Sequence, residues 1–455
     1  MTLQDLLTRA DALRDAGEPR PAVAAYREAL RLGADPAAVH FQVGALLAAL
    51  GEHEQARAAL GEVLARRPRD ADALCLLGTV FNDLRQPREA ARMLEEALAA
   101  RPAFSEAHFN LGLARFELGE LRAAADCFER CRGQLRGAPW DARMREQVQG
   151  PAQAPAPEGA DGGVNPLKLR HDAEQFDYLV ERGALPARWR EVAAAYRTLA
   201  AEMQGVGPES VAAYDEERHP LVSRTYKRPI FLGEASTPSP LVNPALDGPA
   251  IEARYFASSP QVLVLDGLLT APALAAVRRF CLESTFWNNV KPGYLGAYFF
   301  DGFCSELLLR LAWELRERFP GIFRGLPLQM MWGYKYDTDL PGISVHADAA
   351  AVNVNFWITP DEANLDAERG GLLVYGEDAP PEWGFTKFNQ HPEVIRRYLE
   401  GVGARPQRIP HRANRAALFD SDLFHATDTL RFREGYLHRR INVTLLYGLR
   451  TMRTG

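Results

Sequence analysis

A chain of 455 residues is too long for one ordinary hydrophobic core, so two or three domains are expected. Its hydrophobic fraction of 47% and charged fraction of 25% are those of soluble globular protein. A formal net charge of −6, with no local basic patch, argues against a partner bound by neutralising nucleic-acid phosphates. The N-terminal residues lack a basic segment followed by an apolar run, and no stretch approaches the ~20 apolar residues of a membrane span. A cytoplasmic protein with no membrane or nucleic-acid partner is therefore expected. The cysteines (Cys75, Cys127, Cys131, Cys281, Cys304) form no CxxC pair and fall mostly in apolar, helix-like runs, which predicts buried reduced thiols.

Residues 1–135 repeat with a period of 34. A small residue recurs at Ala10, Gly44, Gly78 and Gly112, an alanine at Ala22, Ala56, Ala90 and Ala124, and a bulky apolar residue at Tyr26, Leu60, Leu94 and Phe128. Pro68 and Pro102 keep the same interval. Small residues at fixed places let two antiparallel helices approach closely, the bulky residue fills the gap between them, and proline ends the second helix. This resembles the tetratricopeptide repeat over four consecutive units, which implies an α-α superhelix whose concave face binds peptide or protein. The family's groove positions fall here on Phe41, Asn82, Asp83, Phe109, Phe116 and Glu117. That set is aromatic and mildly acidic, so a partner bearing apolar and basic residues is expected; the alternative is that some of these side chains pack between repeats.

Residues 136–166 read as a linker, with Pro, Gly and Ala concentrated from Val148 onward. A connecting segment at 167–258 carries two helices up to Met203, broken near Leu185-Pro186, and then a proline-rich stretch without a clear period. The adjacent His171 and Asp172 in the first of these helices read as a cap or interdomain contact.

From 259 to 455 the pattern turns to short β-rich runs: Val262 to Leu265, Met330 to Tyr336, Asn353 to Ile358, Leu372 to Tyr375, Ala416 to Phe419 and Asn442 to Tyr447, with a helix from Pro272 to about Glu283. Short strands with Gly/Pro turns and covering helices predict a double-sheet jelly roll, the double-stranded β-helix of cupins, so that the whole chain is a multidomain α + β protein. Within it lies His346-Ala-Asp348, whose first and third residues point to one side of an extended segment and reach one metal ion. His425, 77 residues beyond Asp348, supplies a third ligand. Two histidines and a carboxylate leave iron with open positions for a bidentate 2-oxo acid and O2. In Arg440-Ile-Asn-Val-Thr444 the alternation places Arg440 and Thr444 on one face of a strand. A buried arginine needs an anion, for which the distal carboxylate of 2-oxoglutarate is the natural choice, while Arg439 points the other way. His391, His411 and His438 lie in polar, loop-like stretches and are expected to be solvated.

The histidine-x-aspartate motif, the downstream Gly370-Gly371 strand, His425 and Arg440 together resemble the Fe(II)/2-oxoglutarate-dependent dioxygenases, in their prolyl-hydroxylase-like branch. The resemblance implies that His346, Asp348 and His425 hold Fe(II), that Arg440 and Tyr336 contact 2-oxoglutarate, and that Asn353, Asn355, Trp357 and Thr444 line its pocket. The sequence departs from the branch in the longer interval from His425 to Arg440 and in the run from Asn353 to Asn364. The activity so implied is hydroxylation of a protein or peptide recruited partly by the repeats. The alternatives are a small-molecule oxygenase whose repeats serve assembly, and an inactive metal-binding repeat scaffold.

Overall fold

The computed structural model describes residues 2–150, 163–207, 210–233, 236–340 and 343–450. Most of the Pro/Gly/Ala-rich stretch, 151–162, and Gly342 ahead of the histidine-x-aspartate motif lie outside the described residues. The chain divides into two compact units, Met1–Gln134 and Leu135–Gly455.

The first unit is a run of paired helices: α1 (Leu3–Asp15), α2 (Pro19–Arg31), α3 (Pro36–Ala49), α4 (His53–Arg66), α5 (Ala71–Asp83), α6 (Pro87–Ala100), α7 (Ser105–Glu117) and α8, which runs on to Arg136 (Leu121–Arg136). Thr2 caps α1 in a reciprocal capping box with Asp5, and Asp35 and Asp70 cap α3 and α5 with their carboxylates. Proline opens α2, α3 and α6, where its missing N–H costs nothing. The reason for the small residues is visible in distance. A Cβ built on Gly44 would lie 2.9 Å from Leu60 Cγ, one on Gly78 would lie 2.5 Å from Leu94 Cγ, and one on Gly112 would lie 2.6 Å from Phe128 Cε1. Each glycine thus receives the bulky residue 16 positions later, on the second helix of its own pair. The alanines between them (Ala22, Ala56, Ala90, Ala124) are fully buried.

In the second unit a short helix, Ala142–Gln147, precedes two packed helices, Pro166–Glu181 and Trp189–Glu202, which bury Phe176, Trp189, Val192 and Tyr196 in a common core. His171 and Asp172 do not cap a helix end. Both are buried within the first helix, where His171 Nδ1 hydrogen-bonds Asp172 at 2.9 Å and Lys168 Nζ bonds the same carboxylate at 2.7 and 3.0 Å. An adjacent pair can meet because the short Asp side chain bends back to its neighbour.

Ten strands make up the two larger sheets: β1 (Val262–Asp266), β2 (Asn289–Lys291), β3 (Tyr294–Tyr298), β4 (Leu328–Tyr336), β5 (Val352–Trp357), β6 (Leu372–Asp378), β7 (Pro406–Ile409), β8 (Arg415–Asp420), β9 (Leu423–Thr427) and β10 (Ile441–Tyr447). Seven form one antiparallel sheet in the order β1-β8-β5-β10-β4-β3-β2, and three form another in the order β7-β6-β9. The expected jelly roll is thereby corrected. Among the described residues no ladder passes from one sheet to the other, and the larger sheet ends in the edge strands β1 and β2 without closing into a barrel. The cause lies in pairing at long range. Alternation of apolar and polar residues marks a strand and its faces, but not its neighbour. The hairpin of β2 and β3, which has no distinct alternation, adds two strands to one edge of the larger sheet. The resemblance to the dioxygenases, carried by the histidine-x-aspartate motif, Gly370-Gly371, His425 and Arg440, required a double-stranded β-helix, and both that assignment and the hydroxylase activity drawn from it fall with the fold.

No helix among the described residues is long and apolar enough to cross a membrane. Cys75, Cys127, Cys131 and Cys281 are buried free thiols and Cys304 is half-buried.

Candidate metal centre

His346 and Asp348 stand on an extended segment outside the regular strands, and His425 stands in the middle of β9. Period-2 alternation sorts the segment's side chains. Val345 and Ala347 turn into an apolar cluster with Phe388, Ile395, Leu399, Phe424 and Ala426, which leaves His346 and Asp348 on the opposite side. On β9 the same rule sends Phe424 and Ala426 into that cluster and His425 away from it. Two backbone hydrogen bonds, His346 N–H to His425 O at 3.0 Å and His425 N–H to His346 O at 2.8 Å, fix one histidine opposite the other.

The three ligand atoms lie within 4.8 Å of one another. Nε2 of His346 is 3.9 Å from one Asp348 oxygen and Nε2 of His425 is 3.4 Å from the other. Each imidazole places Nδ1 against a backbone carbonyl, His346 on Ser344 at 2.9 Å and His425 on Leu423 at 3.0 Å. A carbonyl can only accept, so Nδ1 carries the proton and the Nε2 lone pair faces the cluster, as a metal ligand requires. Burial, joined by the neighbouring His425, holds His346 below the usual imidazole range and so keeps it neutral. For Asp348 burial acts upward, but the adjoining imidazoles of His425 and His346 and a 2.8 Å hydrogen bond from Asn353 Nδ2 outweigh it and lower its pKa, so the carboxylate is ionised. His346, Asp348 and His425 thus form a two-histidine, one-aspartate cluster able to chelate a metal ion.

Arg440 is fully buried just ahead of β10. Its guanidinium donates to Gly370 O at 2.6 Å, Gly371 O at 3.3 Å and Asn442 Oδ1 at 3.2 Å, and lies 4.5 Å over the Tyr336 ring. None of these acceptors carries a formal charge. Burial lowers the Arg440 pKa from its ordinary value. Asn355 and Thr444 are register partners on β5 and β10, bonded Nδ2 to Oγ1 at 2.9 Å. Trp357 is buried with Nε1 unpartnered, as are the side-chain oxygens of Asn353 and Asn355. Tyr336 stacks on Tyr294 with ring centroids 5.2 Å apart, and its hydroxyl is 3.3 Å from Thr427 Oγ1. Arg439 leaves in another direction, to Glu174 at 2.9 Å and Asp337 at 3.1 Å.

Sequence reasoning missed several participants. Asn442, which bonds both Arg440 and Thr444, shares their alternation and was visible in it. His411 is not solvated. It is buried beside Trp357 and Phe432 with both ring nitrogens unpartnered, and burial, then Arg440 and Arg415, push its pKa down to about 3. The polar residues around it in sequence hid this, because the loop folds inward over Gly371.

In the repeats, the expected groove residues divide. Phe41 is half-buried and lines an open groove of about 600 Å³ with Leu7, Asp11, Tyr26, Asp70 and Asp72. Phe116 is fully buried, Asn82 Nδ2 bonds Asn110 O across helices at 3.0 Å, Asp83 faces His53 at 3.6 Å, and Glu117 pairs with Arg85 at 3.3 Å. Phe109 meets Phe128 edge to face at 5.5 Å.

The tetratricopeptide repeat family matches residues 7–71, 44–84 and 75–139, that is, the repeats alone. No curated protein matches the chain. Solved structures similar to part of it include MamA, 24% identical, over 29% of this chain and 77% of that one with a TM-score of 0.28. YrrB, a repeat protein described as having an unusual peptide-binding site, is 24% identical over 31% of this chain and 71% of that one with a TM-score of 0.26. The Sgt2 repeat domain from Aspergillus fumigatus is 22% identical over 24% and 72% with a TM-score of 0.22. Likenesses at such TM-scores decide nothing about function.

Proposed function

We propose that this chain is a metal-binding repeat protein, in which His346, Asp348 and His425 hold Fe(II) and the repeats dock a peptide segment of a partner protein. The observation that carries the metal reading is the donor set: two imidazoles that turn Nε2 toward one carboxylate, all within 4.8 Å, a combination that suits Fe(II) with coordination positions to spare. The co-ligand that fits beside it is 2-oxoglutarate. Arg440, a buried cation bonded only to neutral acceptors, and the unpartnered Trp357 Nε1 supply the donors a carboxylate accepts from. No oxidation is part of this reading. Anaerobic titration of the purified chain with Fe(II) tests it: one ion per chain is expected, lost in Asp348→Ala and His425→Ala, with 2-oxoglutarate raising the retained iron and Arg440→Ala abolishing that increase. Equal iron retention in wild type and Asp348→Ala would falsify the assignment.

Support for docking comes from the repeat match and from the groove lined by Leu7, Tyr26 and Phe41, where three aspartates, Asp11, Asp70 and Asp72, outnumber the cation Arg67. Its chemistry favours a peptide with aliphatic and basic side chains. In calorimetric titrations such a peptide should bind less tightly as salt rises, and Phe41→Ala should weaken it about tenfold. Equal binding of a sequence-matched acidic peptide defeats this part of the reading.

A further inference from the structure

The segment that carries His346 and Asp348 belongs to no regular ladder, so its geometry depends on a few contacts from elsewhere in the chain. Ala347 N–H donates to Phe388 O at 3.0 Å and Asp348 N–H to Ser421 O at 3.1 Å, while Ala347 O accepts from Asn389 Nδ2 at 2.8 Å. Phe388 and Ser421 are thus two anchors of the ligand segment, one in the short helix Phe385–Gln390 and the other in the turn between β8 and β9.

Both anchors meet in one side chain. Gly448 turns the chain in the left-handed region directly after β10, and Arg450 comes back against the anchors. Its guanidinium donates Nε to the buried carboxylate of Asp422, the residue after Ser421, and lies 4.4 Å over the Phe388 ring. The remaining nitrogens donate to Trp383 O at 3.1 Å, Ala379 O at 2.7 Å and Pro380 O at 3.3 Å, which closes the loop leading to the Phe388 helix. Asp422 O in turn accepts from Ala379 N–H at 2.9 Å. One planar fork therefore ties the Ser421-Asp422 turn, the 379–383 loop and Phe388 into a single block, a task that lysine, with no fork, cannot reproduce.

We propose that Arg450 is a positioning residue of the metal centre: by locking the Phe388 and Ser421 anchors it holds His346 and Asp348 at the spacing that His425 completes. This rests on the metal reading above. Residues that orient metal ligands from behind carry about ten- to hundredfold in affinity.

The test measures two things on the full chain. Co(II), a spectroscopic probe, is titrated into the apo protein, and amide hydrogen exchange is followed at Ala347 and Asp348 without metal. Arg450→Ala should weaken Co(II) about ten- to hundredfold and change its visible spectrum. It should also speed exchange at Ala347 and Asp348 while the amides of β5 and β10 stay protected. Arg450→Lys should restore the pairing with Asp422 but only part of the affinity. Should Arg450→Ala alone not fold, Arg450→Ala with Asp422→Asn removes the carboxylate left uncompensated and carries the same readouts. Unchanged exchange, affinity and spectrum in the variants that fold overturn the proposal. A folded wild-type chain that takes no divalent ion overturns the metal reading instead, and the wild-type titration reports that before any variant is made.

Discussion

In the repeats the small-to-large contacts are settled within 34 residues, whereas in the second unit partners are drawn from far longer intervals along the chain. Gly78 needs only Leu94, 16 positions on, to explain it. Gly371 answers to Ile409, 38 positions on, and its carbonyl to Arg440, 69 positions on. Nearest-neighbour stacking lets a period be read straight into a fold. A sheet whose order is β1-β8-β5-β10-β4-β3-β2 hides its pairing from any local pattern. The same contrast extends to function. Repeat positions expected to face a partner are in part consumed by packing, as at Phe116, while the metal cluster draws its members from two separate segments and still converges.

The sharpest way to break the comparison is to add one methyl group in each region. A Cβ on Gly371 would stand 1.9 Å from Ile409 O and 2.9 Å from the amide nitrogen of His411, both backbone atoms tied into the β6–β7 region and unable to retreat. Gly371→Ala should destabilise the second unit by about 3 kcal/mol or more, through backbone displacement that also disturbs the Arg440 acceptors. Gly78→Ala meets only the Leu94 side chain, and the first repeat already carries Ala10 at the matching place, so a cost nearer 1 kcal/mol is expected. Denaturant unfolding of the full chain, followed by probes in each unit, checks both. A milder effect at Gly371 than at Gly78 would mean that the sheet region yields more readily than the repeats, against the comparison.

What could be read from sequence follows the same division. The repeat helices and their small-to-large contacts were legible because period and chemistry coincide at each position. Six strands of the two larger sheets were legible too, since Val262 to Leu265 or Asn442 to Tyr447 carry their own pattern, whereas β7 and β9 were not. The β2–β3 hairpin was not, because Tyr294-Leu-Gly-Ala-Tyr298 has no alternation to separate it from a turn. The spacing of His346, Asp348 and His425 gave the cluster itself, for on an extended segment alternate residues share a side whatever sheet lies beyond. His411 escaped for the opposite reason: its neighbours in sequence are polar, and only the inward fold of the loop over a glycine buries it.

His411 also offers the finest test of the comparison, set against a buried histidine of the repeats that keeps a hydrogen bond. In the repeats His108 is pushed down by burial but its Nε2 bonds Pro102 O at 3.0 Å, which acts in the opposite direction. His411 has no hydrogen-bond partner at either nitrogen and, although Asp361 lies 4.0 Å from Nδ1, is pushed down to about 3 by burial and by the charges of Arg440 and Arg415. Its folded pKa therefore lies below that of an exposed imidazole near 6.5, and the unfolded state binds the proton more readily. The stability this contributes is fully present above about pH 6.5 and drains away as pH falls toward the folded value. Between pH 7 and pH 5 the linkage amounts to roughly 2 kcal/mol, a figure set by the unfolded pKa and insensitive to where below about 4 the folded one lies. Urea unfolding at the two pH values should show the second unit losing more stability than the repeats, and His411→Phe, seated between Trp357 and Phe432, should remove about that much of the loss. The same acid loss in His411→Phe as in wild type would show that this ring is not the proton acceptor that separates the two regions.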